Sequence, residues 1–531
     1  MITYSADILV IGAGGAGLMA AITAREAGKS VIVVSKLGPG AGACTTVSAA
    51  AFSNAGTVRT KESHRADTLQ AGQGLNKQEL VDLLIENAPA DVGSLNNYGA
   101  KLELKAPGYY GEAASPFFKG SAVVVPLTQY AKKIGVRFMQ PYLMYDLIFR
   151  GGEVIGAWGV DRKDGRPIVI FCGAVILASG GGSAIYARND NPSSITGDGF
   201  ALAIRGGAVL IDMEFVQYYP VMSDFGEGRQ DYFFVPQTAD PAKFVNAAGE
   251  DLIKKFNITL PLAIKSRDLA SRVMMLEYPT YLDFSEATDD DWEKAGRASD
   301  YEGTMQVKAW LKTNLLSGSA RIPVAPVAHF CCGGVQVNEQ METSLPGLFA
   351  AGEVTGGLHG ANRLGGNALS EAIVTGKRAG ESAVASLGKI NFSQHGMFSI
   401  DDIAMTVNAA RVEHQKGDHS TREVKERLRR LMWEKVGVLR SKEGLTEALK
   451  EIQEMNALSL SSKEEGLAAV LETNNMLTTA ELITRSALFR EESRGCHYRL
   501  DFPKKDDAKW LSHTRVEPYD DGTLKIESVG V

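Results

Sequence analysis

The feature that most constrains the fold is a glycine-rich turn between two short apolar runs near the start of the chain. Residues 7–11 predict a buried parallel strand, which the sequence Gly12-Ala13-Gly14-Gly15-Ala16-Gly17 follows at once. A helical pattern then ends at Gly28, and residues 29–35 predict a second strand. In such a unit the glycines allow the tight turn, the approach of a pyrophosphate and the packing of helix on strand. The unit therefore predicts a dinucleotide site, with a purely structural turn as the alternative.

The segment after the second predicted strand is unusual for a dinucleotide site. That strand usually ends in Asp or Glu, which binds a ribose, but here it ends in Ser35 and Lys36. Ser35 could still bond a hydroxyl, and Lys36 is expected near phosphate or solvent. Residues 36–56 then form a loop of small residues, which lets the backbone approach a flat ligand. The alternative is a flexible surface loop.

A second glycine-rich segment, residues 321–380, combines several candidate functional groups. It holds His329, the adjacent Cys331 and Cys332, a predicted strand that delivers Glu353, and Arg363 in a glycine-rich loop. A helix is predicted from about residue 367, and a free helix N-terminus can hold an anion. The segment thus offers an acid for a sugar hydroxyl, and a His and an Arg for a carboxylate. The two cysteines are expected to be buried packing residues rather than a redox pair.

Two further positions have a structural and a functional interpretation. Asp198 begins a predicted helix, where it is either an N-terminal cap or a cofactor contact. Arg267 lies on another predicted helix, where the structural alternative is a surface arginine paired with Asp268 or Glu277. Near the chain end, Arg490, Arg494 and Arg499 suggest pairing between domains or a docking face, and Cys496 is expected on a surface loop.

Composition excludes several classes of protein. A net charge of −7 argues against nucleic acid as a main partner. The five cysteines show no CxxC spacing, so neither an iron–sulfur cluster nor a metal site is expected in this chain, and a reducing, cytoplasmic location fits. No signal peptide and no apolar run of about 20 residues is visible, so no membrane span is expected, although docking to a membrane complex stays open.

Length and pattern divide the chain into several domains. We expect an α/β fold: a Rossmann-like dinucleotide-binding domain, an inserted α+β capping domain, a helical domain and a small C-terminal domain. The predicted boundaries are 1–222 and 321–392 for the two parts of the first domain, 223–320 for the capping domain, 393–486 for the helical domain and 487–531 for the C-terminal domain.

Ordered motifs along nearly the whole chain carry a specific resemblance. They are VIGAGGAGLMAAITAREAG, ILASGGG, TGDGFALAIRGGA, DMEFVQYYP, SRDLASR, IPVAPVAHFCCGG, LFAAGEVTGGLHGANRLGGNALSEAIVTGKRAG and REESRGCHYRLDFPKKDD. With these motifs the chain resembles the flavoprotein family of succinate dehydrogenase and fumarate reductase, which also contains L-aspartate oxidase. The resemblance implies FAD as cofactor and the domain order given above.

The resemblance also implies residue roles. Arg267 is implied as the proton donor, and His329 and Arg363 as the group that binds a substrate carboxylate. Tyr219 and His359 are further candidates for substrate contact. The implied cofactor-binding residues are Gly12, Ala13, Gly14, Gly15, Ala16, Gly17, Ser35, Lys36, Thr45, Thr46, Ser48, Asp198, Glu353, Ala368 and Leu369.

Three departures from the family pattern affect the expected activity. Thr45 stands where the family has its flavin-linked histidine, so FAD is expected to be noncovalent. Tyr219 stands where the family has a histidine for the second carboxylate, and Ala368 replaces a serine. The residues implied to bind one carboxylate, His329 and Arg363, are thus retained, while those implied to bind the other are replaced. The surrounding aromatic residues either line a pocket or pack in a core; they are Tyr218, Tyr219, Tyr232, Phe233 and Phe234.

The sequence therefore predicts an FAD-dependent oxidoreductase that acts on a C–C bond next to a carboxylate, of the fumarate/succinate type or on another unsaturated acid. Electrons are expected to pass through a separate iron–sulfur subunit or a diffusible donor. An oxidase similar to L-aspartate oxidase and a flavin electron-transfer subunit without its own substrate are the alternatives.

Overall fold

The computed structural model describes most of the chain. The described residues are 2–53, 59–105, 108–111, 119–226, 239–260, 266–297, 305, 308, 309, 311–313, 319–388, 405, 414–519 and 523–531. Tyr232, Phe233 and Phe234, which were predicted to line a pocket or pack in a core, lie outside them.

The strands of the described chain fall into five sheets. In chain order they are β1 Ile2–Ile11, β2 Val31–Val34, β3 Ala51–Ser53, β4 Leu102–Lys105, β5 Gly108–Gly111, β6 Arg137–Met139, β7 Tyr142–Arg150, β8 Glu153–Asp161, β9 Pro167–Leu177, β10 Leu210–Ile211, β11 Val216–Ser223, β12 Lys243–Asn246, β13 Thr280–Asp283, β14 Arg321–Cys331, β15 Gly334–Gln336, β16 Leu348–Ala350, β17 Thr355–Gly356, β18 His419–Ser420, β19 Leu460–Ser461, β20 Ser512–Pro518 and β21 Leu524–Gly530.

Helices cover the sheets and form most of the region after residue 420. In chain order they are α1 Gly15–Glu26, α2 Cys44–Val47, α3 Lys61–Ala71, α4 Gln78–Ser94, α5 Ser121–Lys133, α6 Asp198–Arg205, α7 Leu252–Lys255, α8 Arg267–Leu276, α9 Asp289–Arg297, α10 Asn367–Ser386, α11 Thr421–Lys435, α12 Lys442–Asn456, α13 Gly466–Phe489 and α14 Asp507–Trp510, with single 3-10 turns at Leu95–Tyr98, Ser183–Ile185 and Gly352–Val354.

The main sheet has seven strands in the order β6-β2-β1-β9-β8-β7, and β16 also pairs with β9. The strands β6, β2, β1, β9 and β16 are parallel, as expected for buried apolar runs joined by helices. The hairpin β7–β8 turns at residues 151–152. The predicted α/β class is confirmed.

Small residues allow two helices to pack closely beside this sheet. A Cβ added at Gly376 of α10 would lie 2.4 Å from the carbonyl oxygen of Ala16 in α1, and one at Gly380 would lie 2.7 Å from that of Ala20. No side chain separates the two backbones at these points. The two helices consequently run in parallel, and the start of α1 lies against the middle of α10, about nine residues after its first residue Asn367.

A second sheet, in the order β11-β14-β13-β12, has its own apolar core. That core includes Phe244, Val273, Trp292 and Val324, all buried. The strands β11 and β14 connect this region to the main core, because Val216 and Cys331, which pair at one end of the two strands, belong to that core. A separate core is consistent with the predicted insertion, whose boundaries stay a prediction.

Residues 490–499 pack mainly into the interior rather than onto the surface. Arg490 donates to Glu214 Oε1 (2.5 Å) and to Glu492 Oε1 (3.0 Å), and both acids are fully buried. Arg494 and Arg499 are also buried. The pairing alternative is thus supported for these arginines, and the docking-face alternative is wrong. Cys496 was predicted on a surface loop, which is also wrong, because its amide and thiol both donate to the buried carbonyl of Ala361.

Among the helices that the structure describes, none is long and apolar enough to cross a membrane.

The glycine turn at residue 12 gives a stability prediction. Gly12 has φ +117°, and an added Cβ would lie 2.1 Å from the carbonyl oxygen of Ala178. Gly12→Ala should destabilise the protein by roughly 2 kcal/mol or more, because backbone must move to relieve the clash. Thermal unfolding, monitored by circular dichroism, measures the loss of stability. In the control Gly28→Ala, φ is +80° but the space is open, so only the conformational cost of about 1 kcal/mol is expected. Equal losses in both variants would contradict the packing argument.

Candidate functional site

The carboxyl ends of the central parallel strands lie level at one edge of the main sheet. Ile11 pairs with both Val34 and Leu177, and Leu177 pairs with Ala350. The next residues along the chain are Gly12, Ala178 and Ala351, so the predicted glycine turn and the segment that carries Glu353 meet at this edge. Ligands of open α/β sheets bind at this position.

The loop after β2 folds over the glycine turn. The Gly15 amide at the start of α1 donates to Thr45 Oγ1 (3.1 Å), and the Gly40 amide donates to the Ala13 carbonyl (2.9 Å). The Thr46 hydroxyl donates to Gly40 O (2.6 Å) and the Ser48 hydroxyl to Thr45 O (2.7 Å). Ser35 also donates within the loop, to Leu37 O. Thr45 thus holds the loop against the start of α1, while the other predicted hydroxyl residues bond within the loop.

Lys36 lies in the interior and pairs with two acids, Asp198 (2.7 Å) and Glu472 (2.9 Å). Burial acts to lower the pKa of Lys36, but the two carboxylates raise it, so the lysine stays charged. Asp198 is the first residue of α6 and its side chain does not cap the helix. Its other oxygen accepts from Asn475 Nδ2 (2.8 Å). The cap alternative for Asp198 is therefore wrong, and so is a solvent position for Lys36.

The Glu353 side chain lies against the glycines that follow β9. Its Oε1 accepts from the Cys331 amide (3.1 Å), and a Cβ added at Gly181 would clash with the same oxygen. Burial raises the pKa of Glu353 to about 8. At neutral pH the side chain is mainly protonated, so it can donate a hydrogen bond as well as accept one. Cys331 and Cys332 are both buried, as expected.

Some buried polar atoms at this edge lack hydrogen-bond partners, as expected where a large polar ligand binds. Ser179 Oγ, which follows β9, and Asn475 Oδ1, beside Asp198, are buried without hydrogen-bond partners. Such atoms cost free energy unless a ligand or water completes them. The glycine turn, the protonated acid and these atoms together have the chemistry to hold an adenine dinucleotide.

The start of α10 completes this edge. Gly366 precedes the helix at φ +84°, and a Cβ there would lie 2.8 Å from Ser53. Asn367 is fully buried and its Oδ1 contacts His64 Nε2 (2.8 Å). Ala368 and Leu369 form the first turn and are only partly buried. The next turn reaches the start of α1, since a Cβ added at Gly15 would lie 3.8 Å from Ala372 Cβ.

A group of charged and aromatic side chains lies where the second sheet meets the main sheet. Arg267, the first residue of α8, is buried and donates from Nη1 to Gln217 Oε1 (2.8 Å). Gln217 Nε2 donates in turn to the Arg363 carbonyl (2.9 Å) and to Asn362 Oδ1 (2.6 Å). Arg267 is thus not a surface arginine. Gln217 links it to the loop of Arg363.

His329 lies on β14 beside Tyr219 of the neighbouring β11. Their ring centroids are 5.5 Å apart, and the Arg267 guanidinium carbon lies 5.3 Å from the Tyr219 centroid. His329 Nδ1 contacts Asp190 Oδ2 at 2.6 Å. Burial lowers the pKa of His329 although Asp190 opposes the shift, so the imidazole is mainly neutral at pH 7.

Arg363 stacks on an aromatic residue and retains an unpartnered donor. Its guanidinium carbon lies 4.4 Å from the Phe330 centroid, and its buried Nε has no hydrogen-bond partner. His359 packs against the same ring at 5.2 Å, and its Nε2 contacts Glu371 Oε2 (2.9 Å). His359 and Glu371 are both fully buried. The contact with Glu371 holds His359 in the loop beneath Arg363, and the buried Nδ1 of His359 has no hydrogen-bond partner among the described residues, so ligand contact by His359 stays a prediction.

The structure brings together two groups of predicted residues, and it adds two residues that sequence reasoning missed. Gln217 lies directly before the aromatic pair 218–219, but a glutamine on a strand carries no distinctive signal. Asp190 lies in the polar stretch 189–194, whose composition is typical of a turn. The parallel bridge between Asn189 and Ala328 places Asp190 beside His329, and no local pattern predicts that pairing.

Comparison with known proteins identifies the family. Residues 7–369 match the model of an FAD binding domain, and residues 425–531 match the model described as fumarate reductase flavoprotein C-term. A fumarate reductase (CoM/CoB) subunit from Methanothermobacter marburgensis is 33% identical over 97% of this chain and 98% of its own length. The chain belongs to the fumarate reductase and succinate dehydrogenase flavoprotein family.

As a member of this family, the protein is an FAD-dependent oxidoreductase of the fumarate reductase type. An L-aspartate oxidase of Streptomyces coelicolor is 29% identical over 99% of this chain and 93% of its own length. The solved FrdA chain of an E. coli quinol fumarate reductase superposes with a TM-score of 0.87 at 26% identity, covering 100% of this chain and 97% of that chain. The predicted family, fold class and cofactor are thereby confirmed.

The buried ion pairs of Lys36 give a test of the cofactor edge. Lys36→Met should lower the free energy of unfolding by roughly 2 kcal/mol, because Asp198 and Glu472 lose a buried cation. The same variant should retain less FAD, which absorbance at 450 nm measures. In the control Lys61→Met, the lost pair with Glu86 is at the surface, so both values should stay unchanged. Wild-type stability and FAD content in Lys36→Met would contradict the role given to this lysine.

Proposed function

We propose that this flavoprotein is a catalytic subunit that reduces or oxidises a C–C bond next to a carboxylate. The observation that carries the proposal is that Gln217 links two buried arginines. Its side chain accepts from the Arg267 guanidinium and donates to the Arg363 carbonyl. The buried Nε of Arg363 has no hydrogen-bond partner in the described part of the chain, and a buried donor of a cation is costly unless an anion completes it. A small carboxylic acid is an anion of the right class.

Arg363 and His329 are inferred to bind the carboxylate. The unpartnered Nε of Arg363 offers a donor, and hydrogen bonds from a guanidinium to a carboxylate are among the strong ones in proteins. The Phe330 ring under the guanidinium restricts its movement. A carboxylate held by such donors withdraws electrons from an adjacent double bond, which makes that bond easier to reduce.

Arg267 is inferred to transfer the proton. Burial, helped by the positive charge of Arg363, lowers the pKa of Arg267 to about 10. A guanidinium with a lowered pKa gives up its proton more readily than a free one, whose pKa exceeds 12. The bond to Gln217 fixes the direction in which Nη1 points.

The residues of the strand-end edge are inferred to hold FAD, which when bound supplies the hydride chemistry. No histidine occurs in residues 36–56, so we infer that FAD is held without a covalent link to this loop. The glycine turn and the helix start at Gly15 would face its phosphates. Glu353 and Asp198 would bond its polar groups.

A separate protein is inferred to exchange electrons with this flavoprotein, since the five cysteines of the chain lack cluster spacing. We infer an iron–sulfur protein. The relative from Methanothermobacter marburgensis is itself named as one subunit of an enzyme, in line with an assembly.

A reoxidation assay tests the function. The holoprotein is reduced with a viologen under nitrogen, unsaturated carboxylic acids are added, and the return of flavin absorbance is followed. We expect rapid reoxidation by at least one acid, and a loss of at least a hundredfold in Arg267→Ala, which is within the range of general acid catalysis.

Arg272→Ala is the matched control, because Arg272 lies on the same helix, pairs with Asp268 and should not affect the rate. If every acid fails while oxygen reoxidises the flavin, the reductase function is wrong and an oxidase or an electron-transfer subunit is favoured. If Arg267→Ala and Arg272→Ala lower the reoxidation rate equally, Arg267 has no specific role in the reaction.

A further inference from the structure

The strand that carries His329 is irregular at this residue. Where β14 pairs with β11, Phe330 lies opposite Gln217, and Ala328 lies opposite Tyr218. The register shifts between these two pairs, and within these two described strands His329 has no opposite residue on β11. Such a β-bulge redirects a side chain and is common beside active sites. The extra residue is left out of the strand pairing, so its polar backbone groups take partners from elsewhere.

The side chain of Asn191 supplies one of these partners. Its Nδ2 donates to the His329 carbonyl (3.0 Å) and to Asp190 Oδ1 (2.9 Å). The other carboxylate oxygen of Asp190 lies 2.6 Å from His329 Nδ1. The Asp190 amide also donates to the Ala328 carbonyl (3.2 Å), which holds the same segment beside β14. One side-chain amide therefore fixes both the backbone of His329 and the carboxylate that contacts its ring.

The oxygen of the same Asn191 amide faces the loop over the glycine turn. Asn191 Oδ1 accepts from the thiol of Cys44 (3.2 Å), which is the first residue of α2. Desolvation raises the pKa of the Cys44 thiol well above its usual value, as does the charge of Glu353, so the sulfur keeps its proton and can donate it. The next residue, Thr45, accepts from the Gly15 amide (3.1 Å). Asn191 thus connects the bulge at His329 to the start of α1.

We propose that Asn191 is a positioning residue that holds the bulge at His329 and joins it to the loop over the glycine turn. The inference rests on the proposed function, in which His329 binds a substrate carboxylate. Asn191 acts through His329 and has no need to touch the substrate. Its planar amide offers one acceptor to the thiol of Cys44 and two donors to the two oxygens, whereas leucine has a similar size and offers neither.

Asn191→Leu removes all three hydrogen bonds at nearly constant size. The probe reaction is the oxidation of reduced viologen by fumarate, or by crotonate if fumarate does not react, with the holoprotein as catalyst. We expect KM for the acid to rise by about tenfold, because the His329 carbonyl and Asp190 lose their donor. The kcat should stay within about threefold, since Gln217 holds the proton-donor candidate Arg267.

Ser194→Ala is the matched control. It also removes a bond between this segment and the loop, from Ser194 Oγ to Gly42 O (2.8 Å), but not one that reaches His329. KM should therefore stay unchanged.

A double-mutant cycle separates positioning from a general loss of structure. In the His329→Ala background, Asn191→Leu should raise KM by less than about twofold, because the ring that it positions is absent. An unchanged KM in Asn191→Leu alone, or the same tenfold rise in the His329→Ala background, overturns the positioning role.

The link to the loop is tested without turnover, through the dissociation constant of FAD from the reconstituted protein, measured by flavin fluorescence. Cys44→Ala should weaken FAD binding by about fivefold in the wild-type background. In the Asn191→Leu background the same change should weaken it by less than about twofold, because the bond is already lost. Equal effects of Cys44→Ala in both backgrounds overturn the link. Asn191→Ala replaces Asn191→Leu throughout if the leucine variant does not fold.

The outcomes distinguish this proposal from the proposed function. If the wild-type protein reduces an acid and Asn191→Leu leaves KM unchanged, the role of Asn191 is wrong while the proposed function stands. If the wild-type protein reduces neither fumarate, crotonate nor any other unsaturated acid, the proposed function is wrong and the substrate role of Asn191 falls with it. The FAD measurements then still decide whether Asn191 holds the loop.

Discussion

The parallel pairing of β2, β1, β9 and β16 is the constraint on which the rest of the structure depends. Their ends lie level, because Ile11 pairs with Val34 and Leu177, and Leu177 pairs with Ala350. Backbone bonds continue one residue further, from the Ala178 amide to Ile11 O and from the Ala351 amide to Leu177 O, each 2.8 Å. Segments hundreds of residues apart therefore reach one edge together, and the cofactor site is a consequence of this alignment.

A second, smaller contact joins the residues that are proposed to act on the substrate. Gln217 lies on β11 and bonds both Arg267, from the inserted region, and the Arg363 carbonyl, from the loop before α10. One amide thereby sets the separation of two arginines that would otherwise repel each other. Gln217 therefore fixes the side chain of Arg267 relative to the loop of Arg363.

The parts of the fold that follow from local pattern were predictable from the sequence. The turn at Gly12, the helix from Asn367 and the hairpin at residues 151–152 each depend on residues within a few positions of each other. The site was only partly predictable. Lys36 and Glu472 are 436 residues apart, and the contact between Asp190 and His329 spans 139 residues. Sequence reasoning could not choose between pairing and a docking face for Arg490, because its acid partner Glu214 is 276 residues away. Charged residues are usually exposed, and only tertiary structure shows which are paired inside.

The measurement that tests the central claim most directly is product analysis in a single turnover. The holoprotein is reduced with one equivalent of electron pairs under nitrogen in D2O, mixed with an excess of an unsaturated carboxylic acid, quenched and analysed by mass spectrometry. The account predicts one saturated acid per reoxidised flavin, with deuterium added across the former double bond. Reoxidised flavin without saturated acid, or flavin that stays reduced with every acid, would contradict it.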